Sequence, residues 1–434
     1  MTGRRAGGQA GGLLALITVL FHPSSLGAQA SERVTVIRNA TVVPVVGARI
    51  PNGTVVIRGS KIESVGRDLP APPGARVIDA AGLFVYPGMI DSGTDLGLTE
   101  IESVPGGNDT REIGDFNPHD LSLSAVNPHS ELIPVARVNG VTSAITAAGG
   151  GLISGYAALM DLSGWTPGEM GVVPRAGLVV TYPRVSGGRR GGRAGGATTG
   201  EQVNRQVEQL TEYFRSARTY AERKARVEAS GGKLDRVELA MEAMIPAVTG
   251  KVPVIFDLNT ASQIRGALAL ADSFNLKIVL RGAAEAWQLA DTLVARKVPV
   301  IVGPTTVQPT DNDAYDAVYA NPGVLAKAGV LIAFQTSSAS DSRNLPYNAA
   351  LAVAYGLEAD EALRSITINA ARVWGVADRL GSIEPGKVAN LMVTSGDPLD
   401  VRTQVKNVFI RGVDTPMDDR HTRLYEEFRA RPKP

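Results

Sequence analysis

Apolar residues in the middle of the chain form short runs, and helical stretches separate these runs. Seven runs indicate buried strands: Gly88–Ser92, Val141–Ala147, Ala176–Tyr182, Val252–Asp257, Leu276–Leu280, Val298–Val302 and Val330–Phe334. Between them, apolar residues recur at helical spacing over 201–227, and shorter helices are predicted over 261–273 and 283–296. Strands that alternate with helices in this way predict an α/β protein with a parallel barrel.

The two ends of the chain have a different pattern, in which short apolar runs alternate with turn residues. Near the start, Pro51-Asn52-Gly53 precedes the run Val55-Val56-Ile57, and near the end Leu391-Met392-Val393 precedes another run over 405–410. Two distant β regions around an α/β middle predict one small β-sandwich built from both ends. The expected domains are therefore 31–86 and 376–434 for the sandwich and C-terminal tail, and 87–375 for the barrel.

The first 30 residues have the pattern of a secretory signal peptide. Arg4 and Arg5 precede the apolar run Leu13–Phe21, and Ala28-Gln29-Ala30 supplies the small residues of a cleavage site. The apolar run is too short to span a bilayer core of ~30 Å. We therefore expect residues 1–30 to be a signal peptide and the protein to be exported, either periplasmic or secreted. No later stretch predicts a transmembrane span.

Composition narrows the classes of chemistry and of partner. The chain has no cysteine, which excludes thiol nucleophiles, disulfides and cysteine-ligated zinc. Its 44 basic and 43 acidic residues nearly balance, and removal of residues 1–30 would take away only Arg4 and Arg5. This balance gives no reason to expect nucleic acid or an anionic membrane surface as a partner.

Three segments carry a resemblance to a known family. They are Tyr86-Pro87-Gly88-Met89-Ile90-Asp91-Ser92-Gly93-Thr94-Asp95, the run 363–372, and the run 380–399 with its Gly396-Asp397-Pro398-Leu399. Together they resemble the amidohydrolase superfamily, in its imidazolonepropionase-like branch. The resemblance implies a TIM (β/α)8 barrel with a composite β-sandwich, and hydrolysis of non-peptide carbon–nitrogen bonds. It also implies a divalent metal at the carboxyl ends of the strands, where it activates a water molecule.

The family's ligand positions differ in this chain. The His-x-His pair of the first strand corresponds to Gly93 and Asp95. Histidines of the fifth and sixth strands correspond to Asp257 and Arg281, and the metal-binding aspartate of the eighth strand corresponds to Ser337. An intact site of this family uses four histidines, whereas this chain has four in all, none of them at a ligand position.

Arg281 changes the expected electrostatics of this site. An arginine stays cationic at any physiological pH and repels a divalent cation. We therefore expect it to pair with Asp95, Asp257 or both, and we expect no cofactor. Arg281, Ser337, Arg343 and Asn344 are predicted to bind substrate, because they follow the sixth and eighth strands. The function expected on this basis is that of a pseudo-hydrolase that binds small acids or peptides, or that partners an active paralogous amidohydrolase or a second copy of itself.

The residues also allow an active hydrolase with a rebuilt site. The segment 100–131 is rich in acidic residues and contains His119 and His129. With Asp95 and Asp257, these histidines could hold one divalent metal, although the same residues also suit a solvated loop. A metal-free acid–base pair of Asp95 with Asp257 or Glu285 is a further alternative. In either form of active enzyme, catalysis is predicted to depend on Asp95 and Asp257.

Overall fold

The computed structural model describes residues 33–101, 103–185, 199–308 and 314–432. The predicted signal peptide, residues 1–30, lies outside the described residues. Sixteen strands in these ranges form two sheets of eight strands each. Across the same ranges, no helix has both the length and the apolar character that a membrane crossing requires.

The strands, in chain order, are β1 (Val34–Val42), β2 (Ile50–Arg58), β3 (Lys61–Arg67), β4 (Arg76–Asp79), β5 (Phe84–Pro87), β6 (Met89–Thr94), β7 (Val141–Thr146), β8 (Ile153–Asp161), β9 (Gly171–Thr181), β10 (Val254–Leu258), β11 (Ile278–Gly282), β12 (Val300–Val302), β13 (Ile332–Phe334), β14 (Leu391–Thr394), β15 (Val405–Ile410) and β16 (Val413–Thr415). The helices are α1 (Ser122–Ala125), α2 (Leu132–Arg137), α3 (Pro167–Met170), α4 (Gly200–Ala229), α5 (Leu239–Val248), α6 (Ala261–Phe274), α7 (Ala290–Ala295), α8 (Ala317–Ala328), α9 (Leu345–Ala354), α10 (Ala359–Ser365), α11 (Ile368–Val373) and α12 (Arg420–Arg429). Short 3-10 helices span Pro105–Gly107, Ala286–Leu289 and Ala339–Asn344.

Strands β6 to β13 form the predicted barrel. They are hydrogen-bonded in sequence order, and the Ser337 backbone N–H after β13 donates to the Gly93 carbonyl of β6 over 2.8 Å. The two ends of the sheet therefore meet, which confirms the TIM-type barrel. The seven strands predicted from the sequence correspond to β6, β7 and β9 to β13.

The eighth barrel strand, β8, was not predicted and runs opposite to its neighbours. It pairs antiparallel with both β7 and β9, so the barrel is not parallel throughout. All nine of its residues are buried, including the polar Ser154 and Asp161. A strand buried on both faces lacks the polar–apolar alternation by which a strand is most easily identified.

The second sheet joins both ends of the chain, as predicted for the composite β domain. Its strand order is β16-β15-β14-β5-β1-β2-β3, and β4 pairs with β1. Buried residues of the N-terminal strands, such as Ile37, share one core with residues of the C-terminal strands, such as Phe409. The sheet folds back on itself at Gly412, where an added Cβ would lie 2.1 Å from the Gly59 carbonyl oxygen. Only glycine permits this approach of two backbones.

A buried polar cluster joins this sheet to the barrel at the end opposite the cavity described below. Asp161, the last residue of β8, accepts hydrogen bonds from Ser143 Oγ and Asn390 Nδ2, each over 2.8 Å. Burial raises the pKa of Asp161, although these hydrogen bonds and the nearby Arg411 oppose that shift. The contact fixes one end of the barrel against the β domain, so the carboxyl ends of β6, β7 and β9 to β13 face away from it.

Candidate functional site

The carboxyl ends of the parallel barrel strands surround a cavity of about 390 Å³. Its polar lining consists of Thr94, Asp95, Thr110, Asp257, Asn259, Arg281, Gln335 and Ser337. TIM-barrel enzymes carry their active sites at this end of the barrel. The cavity therefore lies where the sequence predicted the candidate site.

An ion pair between Arg281 and Asp257 occupies the wall of this cavity. The two residues lie opposite each other on the parallel strands β10 and β11. Arg281 donates through Nε to Asp257 Oδ1 and through Nη2 to Oδ2, a two-point contact between planar groups. The side chains are 11% and 29% exposed. Burial alone would lower the pKa of Arg281, but the charge and hydrogen bonds of Asp257 raise it above its ordinary value.

Asp95 lines the same cavity but takes no part in this ion pair. Its Oδ2 accepts from Thr99 Oγ1 over 3.0 Å, and its Oδ1 accepts from the Ala339 backbone N–H over 2.5 Å. The second bond holds the first turn of the 3-10 helix that follows β13. Of the two carboxylates that the sequence analysis proposed as pairing partners, only Asp257 contacts Arg281, and Asp95 has a local structural role.

The space beside Gly93 is filled by neighbouring side chains. A Cβ added at Gly93 would lie 2.4 Å from Gln335 Oε1 and 3.2 Å from Arg281 Cδ. Gln335 is held in place by its Nε2, which donates to the Gly303 carbonyl over 2.8 Å. Gln335 was not predicted as a site residue, although it is the first polar residue after the apolar run Val330–Phe334.

Two further side chains are free to contact a ligand. Ser337 has a φ of +64°, a left-handed conformation that is costly for a residue other than glycine and that is often found at functional sites. Asn259 lies at the end of β10 and was likewise not predicted as a site residue. Within the described parts of the chain, neither the Ser337 hydroxyl nor the Asn259 carboxamide has a hydrogen-bond partner.

A buried carboxyl group lies on β6, two residues before Gly93. Asp91 is fully buried and accepts hydrogen bonds from the Gly93 and Thr336 backbone N–H groups, each over 3.1 Å, and from Thr336 Oγ1. Burial raises the pKa of Asp91 to about 7, and the hydrogen bonds moderate that shift. Asp91 thus joins β6 to the residue that follows Gln335 after β13, and it was not predicted as a site residue.

Two predicted substrate-binding residues lie away from the cavity. Arg343 Nη1 lies 3.0 Å from His421 Nδ1 of α12, and Asn344 donates to Asp341 over 3.0 Å. The 3-10 helix Ala339–Asn344 carries the chain away from the barrel mouth before either residue is reached. Neither residue lines the cavity, whereas Arg281 and Ser337 do, and substrate binding by any of the four stays a prediction.

The structure does not assemble the alternative metal site of the sequence analysis. The only described residue of 100–131 that lines the cavity is Thr110. His129 lines a separate cavity beside α2, and the half-exposed His119 faces Asp120. No group of three or more histidine or carboxylate side chains within the described ranges is placed to hold a metal ion.

The residues at the barrel mouth do not fit the metal of the family. Gly93 has no side-chain atom that could bind a metal, and Gln335 and Arg281 fill the space beside it. Asp257 is occupied by a guanidinium, and Asp95 is occupied by two hydrogen-bond donors. A metal would have to displace these partners while lying beside a fixed positive charge.

Comparison with known proteins finds similarity to amidohydrolases. The model of the amidohydrolase family matches residues 295–415. The chain is 25% identical over 396 residues to the amidohydrolase tasK of Hapsidospora irregularis, covering 83% of this chain but only 39% of that protein. A segment of 61 residues is 48% identical to the N-substituted formamide deformylase of Arthrobacter pascens, covering 13% of this chain and 11% of that enzyme. The chain thus spans well under half the length of either relative.

Solved structures share the fold of this chain along most of its length. An amidohydrolase from Thermotoga maritima MSB8 superposes with a TM-score of 0.78 at 27% identity, covering 88% of this chain and 99% of that one. Phenylurea hydrolase B superposes with a TM-score of 0.55 at 18% identity, covering 88% and 97%, and this likeness supports the fold alone. Residues 295–415 thus match the amidohydrolase family, and over 88% of its length the chain resembles an amidohydrolase of known structure in both sequence and fold.

Proposed function

We propose that this chain is an exported, amidohydrolase-related binding protein whose barrel mouth lacks the metal–water chemistry of its superfamily. The observation that carries the proposal is the Arg281–Asp257 ion pair at the place where the resemblance puts metal ligands. We also propose that it belongs to the imidazolonepropionase-like branch, on the segments quoted above.

Electrostatics supports the absence of a resident divalent ion. At an effective dielectric constant of about 20, each unit of positive charge held about 4 Å from the guanidinium costs roughly 4 kcal/mol. Freeing Asp257 to bind a metal would also leave Arg281, 11% exposed, without its carboxylate. Breaking such a pair costs several kcal/mol, because one buried charge is left uncompensated.

The charges in the cavity favour ligands other than the small acids expected from the sequence. The two-point contact with Asp257 already uses the Arg281 fork, and Arg343 lies elsewhere. The charged residues that line the cavity are Asp95, Asp257 and Arg281, so the acids outnumber the base. With the free Asn259 carboxamide and Ser337 hydroxyl, this lining suits a neutral or cationic polar ligand, peptides included.

The decisive experiment measures the metal content of the purified protein after dialysis against trace zinc and manganese, by mass spectrometry. We expect only trace metal in the wild type, in Asp257→Ala and in Asp95→Ala. Near-stoichiometric metal in the wild type that disappears in either variant would overturn the proposal. It would also establish the rebuilt metal site that the sequence alone left open.

Export and partnership are separate parts of the proposal. Export is supported by the signal-peptide pattern of residues 1–30 and is tested by cell fractionation of the producing organism. A chain confined to the cytoplasm at its full length would contradict export. A binding protein without its own chemistry would associate with an active paralogue or with a second copy, and size-exclusion chromatography of the native protein tests that association.

A further inference from the structure

Large apolar side chains are exposed around the mouth of the barrel. They include Ile113 after β6, Trp287 after β11, and Val307 and Tyr315 after β12, and we call these four residues the mouth rim. Their exposures are 97%, 42%, 40% and 70%. Exposed apolar surface grouped around a cavity is characteristic of interaction sites on soluble proteins.

Two residues of the mouth rim lie close in sequence to residues that line the cavity. All four follow strands whose carboxyl ends surround it. Ile113 follows the cavity-lining Thr110 by three positions, and Val307 follows the cavity-lining Pro304 by three. The β6–α1 segment is fixed to the connection between β7 and β8, since the Gly149 N–H donates to the Thr110 carbonyl over 2.8 Å. A chain that lies across the cavity would therefore meet the rim.

The same segments carry more acidic than basic side chains. In the described residues that follow β6 and β9 to β13, the acids outside the cavity are Glu100, Asp109, Glu112, Asp115, Asp120, Glu285, Asp316 and Asp341, and the bases are Arg111, Arg184 and Arg343. Inside the cavity, Arg281 neutralises Asp257, while the charge of Asp95 has no cationic partner among the lining residues. The described part of this surface is thus apolar at its rim and carries more acidic than basic side chains.

We propose that the barrel mouth is a docking surface for a basic, apolar peptide segment. The cationic side chain of the segment enters the cavity, where the Asn259 carboxamide and the Ser337 hydroxyl accept its N–H groups near Asp95. Its apolar side chains cover the mouth rim. Charge complementarity selects a basic segment over an acidic one. The inference rests on the proposed function, because it places an unhydrolysed ligand at the old catalytic position.

Two fluorescein-labelled decapeptides test the inference by fluorescence anisotropy with the full protein. Both contain leucine, phenylalanine, serine and glycine at the same positions, and they differ only in carrying three lysines or three glutamates. We expect the lysine peptide to bind at least about tenfold more tightly, with the preference shrinking at high salt. Ile113→Ser is expected to weaken its binding by about five- to tenfold, because an apolar contact is lost.

A matched control is available on the other side of the molecule. Trp165 is 78% exposed and follows β8, which ends at the opposite end of the barrel, so Trp165→Ser is expected to leave binding unchanged. Equal affinity for the two peptides, or an Ile113→Ser variant that binds like the wild type, would overturn the inference. Peptide cleavage that requires stoichiometric metal would instead overturn the proposed function, so the two failures are distinguishable.

Discussion

Arg281 and Asp257 lie side by side on adjacent parallel strands and close a two-point ion pair in the wall of the barrel cavity. Both positions correspond to metal-binding histidines in the family that the sequence resembles. An ion pair thus stands at two positions that correspond to metal ligands. Arg281 supplies a fixed positive charge, and Asp257 supplies the carboxylate that neutralises it. The two residues satisfy each other without any added ion.

Removal of one partner is expected to destabilise the protein more than removal of both. Asp257→Leu leaves a guanidinium that is 11% exposed without its carboxylate, and the free energy of unfolding should fall by about 2–4 kcal/mol. Arg281→Met combined with Asp257→Leu leaves no unpaired charge and should be clearly more stable than the sum of the single changes predicts. Urea unfolding of the wild type, both single variants and the double variant measures this coupling.

The exposed pair Arg205 and Glu201 on α4 provides the control for that cycle. Its side chains are 63% and 86% exposed, so Glu201→Ala should change the stability by no more than about 0.5 kcal/mol. Strict additivity at Arg281 and Asp257, comparable to that at the surface pair, would show that the buried ion pair contributes no coupling.

Gly93 is expected to tolerate no side chain while Gln335 is present. A Cβ at this position lies 2.4 Å from Gln335 Oε1, so Gly93→Ala should destabilise the protein by about 1–3 kcal/mol. Adding Gln335→Ala to that variant removes the collision and should restore part of the loss. Thermal unfolding compares the variants.

Gly149 lines the same cavity and serves as the matched position. No atom lies within 4 Å of a Cβ built there, and its φ is not in the left-handed region. Gly149→Ala is therefore expected to be neutral or slightly stabilising, since alanine restricts the unfolded chain. Equal effects at Gly93 and Gly149 would contradict the collision.

Arg281→His is expected not to restore zinc binding. The variant returns one histidine to a family position, but a protein zinc site needs three or four ligands, and Gly93 and Ser337 still supply no histidine or carboxylate. Mass spectrometry after zinc dialysis should find far less than one zinc per chain. Stoichiometric zinc in this single variant would show that the remaining carboxylates still form most of a site.

The fold was predictable because its signals are local and repeated. Apolar runs identified seven barrel strands, and the helix predicted over 201–227 is α4, which begins at a capping box of Thr199 and Gln202 and buries Leu210 and Phe214. Strand β8 was missed because a segment buried on both faces gives no alternation, and because Ser154 and Gly155 follow a glycine-rich turn. Its antiparallel direction depends on pairing with β7 and β9, which no local pattern encodes.

The site was predictable only in part, because the position of some of its side chains depends on residues of other strands. The resemblance located Asp95, Asp257, Arg281 and Ser337 at one end of the barrel, and all four line the cavity. Gln335 fills the space that Gly93 leaves without a side chain. This relation joins two strands that are far apart in the chain, so no local pattern in the sequence predicts it. Arg343 and Asn344 were misplaced because the sequence does not show how soon the 3-10 helix after β13 turns away from the mouth.

Asp91 is expected to make the stability of the barrel depend on pH. In the unfolded chain its carboxyl group ionises near the ordinary pKa of 3.8, whereas burial raises the pKa in the folded protein to about 7. Between these values the folded state binds a proton that the unfolded state has lost, so the free energy of unfolding falls as pH rises from about 4 to about 7. The contribution is complete below this window and lost above it, and at about 1.4 kcal/mol per pH unit it amounts to at most about 4 kcal/mol.

Asp91→Asn isolates this contribution because asparagine has the same shape and does not titrate. Its amide oxygen can still accept from the Gly93 and Thr336 N–H groups. Relative to the wild type, the variant should gain stability steadily between pH 4 and pH 7, as measured by urea unfolding at closely spaced pH values. Parallel curves for the two proteins across this window would show that Asp91 ionises alike in the folded and unfolded states, and that the polar contacts between β6 and β13 compensate fully for its burial.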